Sequence, residues 1–349
     1  MLLRTKELAS LIPEDIREIA KKLAEKDHRC FVVGGAIRDL LIARPSKDFD
    51  LASTATPEEI SQIFEKTIPT GVRYGTVTVF HNEAKYEMTT LRQEGNYSDQ
   101  RHPEHVEFSR DINADLKRRD FTINAMAFDP LNNELIDNHG GLEDLKNRVL
   151  RTVGDAHARF TEDGLRVWRA VRFLAQLGFA VEKKLGLAVN EFMTHWDDLA
   201  AIERIHDEVI KILEANYPSY GLSFIENFRP IDHYDRRVRL AALVSQDPKF
   251  EACVLTREER RWVDRLLKYN LNLQKAEFEI TDLKINGIDV MELGPRGEEV
   301  GVILNTIREL VVEKKSLNKR TKLMELAKRI LAGEKLDPET AAIDTTVMA

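Results

Sequence analysis

Cysteine is almost missing from this chain: Cys30 and Cys253 are the only two. Two distant thiols build no disulfide framework, and without a C-x-x-C pair they supply no zinc site. Both are expected to be buried thiols. No stretch of 18 residues runs apolar without charge, so no membrane-spanning helix and no membrane partner are expected. Arg4, Lys6 and Glu7 interrupt what would have to be the apolar stretch of a signal peptide, and the expected setting is the cytoplasm. Internal repeats and low-complexity tracts are absent. Overall positive charge is missing too. The 52 Lys and Arg against 59 Asp and Glu leave a net charge of −7, which argues against nucleic-acid binding over the whole surface. Local excess remains, with eleven basic against seven acidic residues over 229–275 and eight against three over 308–329. Solvated helix faces account for most such runs.

What is present suits a soluble globular protein. With 349 residues, 43% hydrophobic and 32% charged, the chain can bury a substantial core in two or more domains. Up to about residue 150, short β-type runs ("CFVVGG", "FDLAS", "GTVTVF", "KYEMTTL", "VEFS", "MAFD") alternate with helical stretches such as 57–64, which predicts an α+β layer. From Arg159 onward helical periodicity takes over, with Leu165, Trp168, Val171, Phe173 and Leu177 along one apolar stripe. Pro218, Pro230, Pro248 and Pro295 cut this half into short helices, and the tail beyond Lys335 has loop-like composition. Trp168, Trp196 and Trp262 read as core, and the dipeptide His206-Asp207 reads as helix surface because no spaced metal-binding pattern accompanies it.

One stretch concentrates the chemistry. In "FVVGGAIRDLLIARPSKDFDLAST", residues 31–54, a buried strand runs into Gly34 and Gly35 and then into a helix start. Free N–H groups and the helix dipole there favour an anion, to which Arg38 adds a guanidinium fork. Further on, Asp48 and Asp50 stand two apart, so on a strand both carboxylates point to one face. Paired carboxylates repel unless a cation such as Mg²⁺ sits between them. Glu87, on another predicted strand, offers a third hard ligand. Three carboxylates beside a phosphate cradle describe a two-metal phosphoryl-transfer site.

These motifs, GG-x-x-R-D followed by D-x-D, resemble the head of the DNA polymerase beta nucleotidyltransferase superfamily. "LKRRDFTINAMAFD" (116–129), "RFTEDGLRVWRAVRFLAQLGF" (159–179) and "ERIHDEVIKIL" (203–213) follow in order and narrow the resemblance to the class II tRNA nucleotidyltransferases and bacterial poly(A) polymerases. The resemblance implies a polymerase-beta-like nucleotidyltransferase head over 1–150, then an all-helical neck over 151–215, body over 216–275 and tail over 276–349. It implies two Mg²⁺ ions on Asp48 and Asp50 with Glu87 beside them, and a triphosphate cradle at Gly34, Gly35, Arg38 and Asp39. Arg118, Arg119, Asp120 and Asn124 would contact ribose and phosphates.

Asp163 and Arg166, three apart, are expected to share a helix face, one accepting hydrogen bonds and one donating. C and A both present an exocyclic amine beside a ring-nitrogen acceptor, whereas U and G present a carbonyl beside an N–H. An Asp/Arg pair therefore suits C and A, with Glu162 and Arg169 positioning it. The implied activity is addition or repair of the tRNA 3′-terminal CCA from CTP and ATP without a nucleic-acid template, with the tRNA acceptor end as partner and no protein partner implied. A CC-adding specialist, an A-adding specialist and a poly(A) polymerase are the alternatives. The last is disfavoured by the acidic "LDPETAAIDTTVMA" end. A catalytically dead RNA-binding module is disfavoured by the intact Asp48, Asp50 and Arg166. The polar stretch 92–105, with Arg92, Glu94 and Arg101, reads as a mobile surface loop, and deleting Glu94 to His102 is expected to leave the two C additions largely intact and to impair A addition selectively. Ala43 stands where relatives commonly have glycine, and Gly164 interrupts the selecting helix.

Overall fold

The computed structural model describes residues 2–46, 48–71, 75–93, 107–225, 236–246, 250, 255–268, 271 and 273–342. The chain divides into two compact units, Met1–Asp232 with Ala252–Val254, and His233–Glu251 with Leu255–Ala349.

In the first unit α1 (Thr5–Leu11) and α2 (Glu14–Ala24) lead into β1 (Cys30–Val33), α3 (Gly35–Leu41), β2 (Asp50–Ser53), α4 (Pro57–Ile63), β3 (Thr67–Gly71), β4 (Thr76–His81) and β5 (Ala84–Thr90). The short strands β6 (Arg92–Gln93) and β7 (Glu107–Phe108) pair with each other. Then come α5 (Ile112–Lys117), β8 (Ala127–Asp129), β9 (Glu134–Ile136), α6 (Gly141–Asn147) and β10 (Val149–Leu150). The helical part holds α7 (Ala156–Glu162), α8 (Leu165–Leu177), β11 (Ala180–Val181), α9 (Lys183–Met193), α10 (Ile202–Leu213) and α11 (Pro218–Leu222).

Among the described residues the main sheet has seven strands in the order β3-β4-β5-β2-β1-β8-β9. It is mixed: β2 runs antiparallel to β1 and parallel to β5. Every residue of β1 is buried, as its unbroken apolar run requires. Phe31, Val33, Ala52, Leu91, Ile112, Leu116 and Ala127 form one cluster between the sheet and α5. The stripe predicted on α8 is buried throughout, and Trp168 meets Trp196 edge-to-face at 5.6 Å, so both are core. Cys30 is buried and free, its thiol pushed up to about 12 by burial. Cys253 lies outside the described residues.

Three expectations change. The all-helical half contains one strand, β11, which pairs in parallel with β10. The edge strand β3 was not legible, since "TIPTG" carries a proline and is half exposed. Arg92 and Gln93 form strand rather than loop, while Glu94 and Arg101 lie outside the described residues.

The second unit is helical, with Arg236–Gln246, Arg257–Lys268, Leu273–Glu277, Gly287–Met291, Glu298–Glu313 and Arg320–Leu331. Its core gathers Leu283, Ile285, Val290, Ile307 and Leu323. Asn286 caps Gly287–Met291 in a reciprocal box with Asp289. Among the described residues no helix is long and apolar enough to cross a membrane.

Candidate active site

Strand register assembles the site before any side chain is considered. Asp50 pairs with Val33 across β1 and β2, so the glycine turn that follows Val33 opens beside the carboxylate. Leu51 pairs with Met88, which places Asp50 and Glu87 side by side on the same face of the parallel pair. Gly34 has φ +74 and a backbone N–H on the Met126 carbonyl at 3.3 Å. A Cβ there would sit 3.0 Å from Arg119 Nη1. Glycine is needed on both counts.

Asp48 precedes the strand, which begins at Asp50, so the strand pleat that was expected to align the two carboxylates does not extend to it; both reach solvent. Their charges still meet. Loss of hydration raises the Asp50 carboxyl above its ordinary value, the Glu87 and Asp48 charges add to this, and Arg119 opposes it. Hard oxygen donors in mutual repulsion suit a divalent cation by chemistry. Among the described residues, however, no three such side chains are gathered as a closed ligand set.

Beside them lies a cavity of about 450 Å³ lined by Gly34, Gly35, Asp50, Asp120, Asn124 and Asp163, and by the guanidinium groups of Arg38, Arg118, Arg119, Arg166, Arg169, Arg172 and Arg204. Each of these arginines is held by a carboxylate, Arg38 by Asp39, Arg118 and Arg119 by Asp115, Arg166 by Glu162, Arg169 by Asp120, Arg172 by Glu208 and Arg204 by Asp163, so the cavity offers an anion their unused N–H donors and not a large net charge. Arg38 is a support. It forks onto Asp39 at 2.9 and 2.9 Å and donates to Asn124 Oδ1 at 2.7 Å. Asn124 Nδ2 donates on to Asp120 at 3.2 Å, and Asp120 receives Arg169 at 2.7 Å. Burial works to raise the Asp120 carboxyl, but Arg169, the Phe121 N–H and Asn124 outweigh it and hold it below the usual range. Beneath this network Phe173 carries Arg172, Arg38 and Arg169 over its ring at 4.2, 5.1 and 5.7 Å.

The selecting segment differs from expectation. α7 ends at Glu162 and α8 begins at Leu165, so Asp163 and Arg166 share no helix face. Asp163 adopts extended backbone, accepts from the Leu165 N–H at 3.1 Å and pairs with Arg204 at 3.2 Å. Arg166 donates to Glu162 at 2.6 Å and to the Arg159 and Arg118 carbonyls at 3.1 Å each. The break falls at Asp163, while packing requires glycine at the next position, since a Cβ on Gly164 would lie 2.1 Å from the Leu199 carbonyl oxygen. Both side chains still line the cavity.

Sequence reasoning missed Asp115, Arg172, Phe173 and Arg204 as parts of the site. Asp115 had a local signal, standing three and four residues before Arg118 and Arg119 on one helical face. The partnership of Arg204 with Asp163 spans 41 residues and left none. His206 and Asp207 sit on α10 away from the cavity lining, as read.

Residues 30–151 match the family described as the Poly A polymerase head domain. Over 214 residues the chain is 47% identical to the CCA-adding enzyme of Ligilactobacillus salivarius, covering 60% of this chain and 52% of that one. Over 219 residues it is 43% identical to that of Enterococcus faecalis, covering 62% and 53%. The chain thus spans about half the length of the curated relatives it matches. The crystal structure of the Bacillus stearothermophilus CCA-adding enzyme in complex with CTP superposes with a TM-score of 0.66 at 27% identity, over 92% of this chain and 99% of that one. The comparisons agree with the resemblance drawn from the motifs: residues 30–151 match the poly A polymerase head domain, the chain folds as a polymerase-beta-like α+β head followed by helical parts, and it is similar to the CCA-adding enzymes.

Proposed function

We propose that this protein adds or repairs the 3′-terminal CCA of tRNA by template-independent nucleotidyl transfer from CTP and ATP. The observation that carries this reading is the cavity that gathers the glycine turn, Asp50 and seven arginines in one lining. A nucleoside triphosphate is the polyanion that uses all of it, phosphates toward Gly34 and Arg119, base toward Asp163 and Arg166. The head, neck, body and tail at 1–150, 151–215, 216–275 and 276–349 and a cytoplasmic setting belong to the same proposal.

In this reading Asp48 and Asp50 hold two Mg²⁺ ions with Glu87 alongside. Bound there, the ions lower the pKa of the attacking hydroxyl and bind the triphosphate. The tRNA 3′-oxygen bonds to the α-phosphorus and pyrophosphate leaves. The chain's own part is positioning. Gly34 and Gly35 let the phosphates approach backbone N–H groups, while Arg38, held by Asp39 and Asn124, walls the turn. Asp120, committed to Arg169 and Asn124, faces the ribose as a fixed acceptor.

Base choice falls to two groups already restrained. Both Nη1 protons of Arg166 are taken by Glu162 and Arg159, and one Nη2 proton by Arg118. Its Nε–H and second Nη2–H have no described partner and remain for a ring-nitrogen acceptor. The Asp163 carboxylate accepts the exocyclic amine of C or A, and a U or G would leave it facing a carbonyl. Asp163→Asn tests this assignment: incorporation of CTP and ATP should fall while UTP incorporation rises relative to them. Unchanged ratios among the four nucleotides would remove Asp163 from base selection.

A further inference from the structure

Asp115 lies outside the residues that motif reading assigns, yet it organises the phosphate end of the cavity. It sits on α5 and is 1% exposed. Its Oδ1 receives Arg118 Nε at 2.9 Å and Nη2 at 2.5 Å, and its Oδ2 receives Arg119 Nη2 at 3.0 Å. One carboxylate therefore sets the orientation of two guanidinium groups that both line the cavity. Burial would raise this carboxyl, but the Arg119 and Arg118 charges prevail and hold it below the usual range. It is a lasting counter-charge at neutral pH.

Arg119 is the informative partner. Its Nη1 stands 3.0 Å from the position a Cβ would take on Gly34, so it faces the glycine turn directly. Its charge acts on Asp50. Its Nε is buried with no hydrogen-bond partner among the described residues, which is costly unless a ligand supplies an acceptor. Two guanidinium charges against one carboxylate leave one net positive charge, and Arg119 Nη1, which Asp115 does not engage, is the donor at the turn.

We propose that Asp115 is a positioning residue for the triphosphate: it locks Arg118 and Arg119 so that the remaining N–H groups of Arg119 receive a phosphate oxygen beside Gly34 and Asp50. It touches no substrate itself. The inference rests on the nucleotide reading of the cavity and adds a residue to it. Its consequence is specific, because the loss on removing Asp115 scales with the number of phosphates on the ligand and not with the base.

The test is equilibrium binding of CTP, CMP and cytidine to the full chain, wild type against Asp115→Asn and Asp115→Glu, with folding checked by thermal melting. Asp115→Asn should weaken CTP about tenfold or more, the scale of one charge-assisted hydrogen bond held in place, and leave cytidine within about twofold. Asp115→Glu, which keeps the charge, should recover part of the loss. Adding Arg119→Gln to Asp115→Asn should cost less than the product of the two single effects, because both act through one guanidinium. Should Asp115→Asn fail to fold, the Glu and Arg119→Gln variants carry the same comparison. Equal weakening of CTP and cytidine, or CTP binding like wild type, overturns the role of Asp115. A wild-type protein that binds neither CTP nor cytidine overturns instead the nucleotide reading beneath it.

Discussion

Asp163 forms its ion pair with Arg204, 3.2 Å away on α10, and not with Arg166, which stands three residues along the chain and pairs with Glu162 at 2.6 Å. The two groups assigned to base recognition are thus braced by separate partners. Rotation of either is opposed by a charge pair outside the base contact. Arg204→Ala removes the brace on Asp163 and leaves the Leu165 N–H donating to its carboxylate. The expected outcome is a fall of about tenfold in the preference for CTP over UTP, with a smaller loss in the rate with CTP. Single-nucleotide addition with each triphosphate measures it. An equal loss with all four would show that Arg204 serves the fold alone.

The raised carboxyl of Asp50 sets function against stability. Hydration loss, then Glu87 and then Asp48, push its folded-state value above the ordinary one, against the pull of Arg119. For a group raised on folding, the stabilising contribution is complete below the unfolded pKa and is lost as pH rises through the folded pKa. Ionised Asp50 therefore strains the fold at neutral pH. Asp50→Asn should abolish nucleotide addition while raising the melting temperature at pH 7 in a chelator, with tRNA affinity little changed. The gain should shrink as pH falls through the carboxylate range. A variant less stable than wild type at pH 7 contradicts the electrostatic picture.

Gly164 shows propensity and packing pulling in opposite directions. As a residue next to α8, glycine looks like a cost of up to about 1 kcal/mol relative to alanine. In the structure an added Cβ meets the Leu199 carbonyl oxygen at 2.1 Å, and backbone stands there, not a yielding side chain. Gly164→Ala should destabilise by at least about 2 kcal/mol, read from chemical denaturation, and should disturb Asp163 and Arg166 on either side. A stabilised variant would contradict the close approach of the Leu199 carbonyl to Gly164.

Ala43 carries the reverse argument. It ends α3 with φ +57, the left-handed region that costs a side-chain-bearing residue about 1 kcal/mol and costs glycine almost nothing. Ala43→Gly should raise stability by up to about that amount, with activity unchanged. A lower melting temperature would show that unfolded-chain entropy outweighs the relieved strain.

These residues show how much the sequence disclosed. Strands β1, β2, β4, β5 and β8 were legible because each is an apolar or alternating run bounded by turn residues. The carboxylate and arginine motifs were legible because their spacings are local. β3 was hidden by its proline and exposure, and β11 by its two-residue length. The site's braces were hidden for a different reason. Asp163 with Arg204, and Arg172 with Glu208 at 2.5 Å, join α7–α8 to α10 through packing that no window of sequence contains. Even the Asp163–Arg166 spacing misled, since i,i+3 implies a shared face only if the helix is continuous, and the extended backbone of Asp163 interrupts it.

The central claim is tested most directly by incubating a tRNA that ends before its CCA with this protein and CTP alone, ATP alone, or both, and reading product length at single-nucleotide resolution. The account predicts two added nucleotides with CTP alone and three with both, and no product with Asp50→Asn. Growth of a long A tract with ATP, or no extension of the tRNA by the wild-type protein, would contradict it.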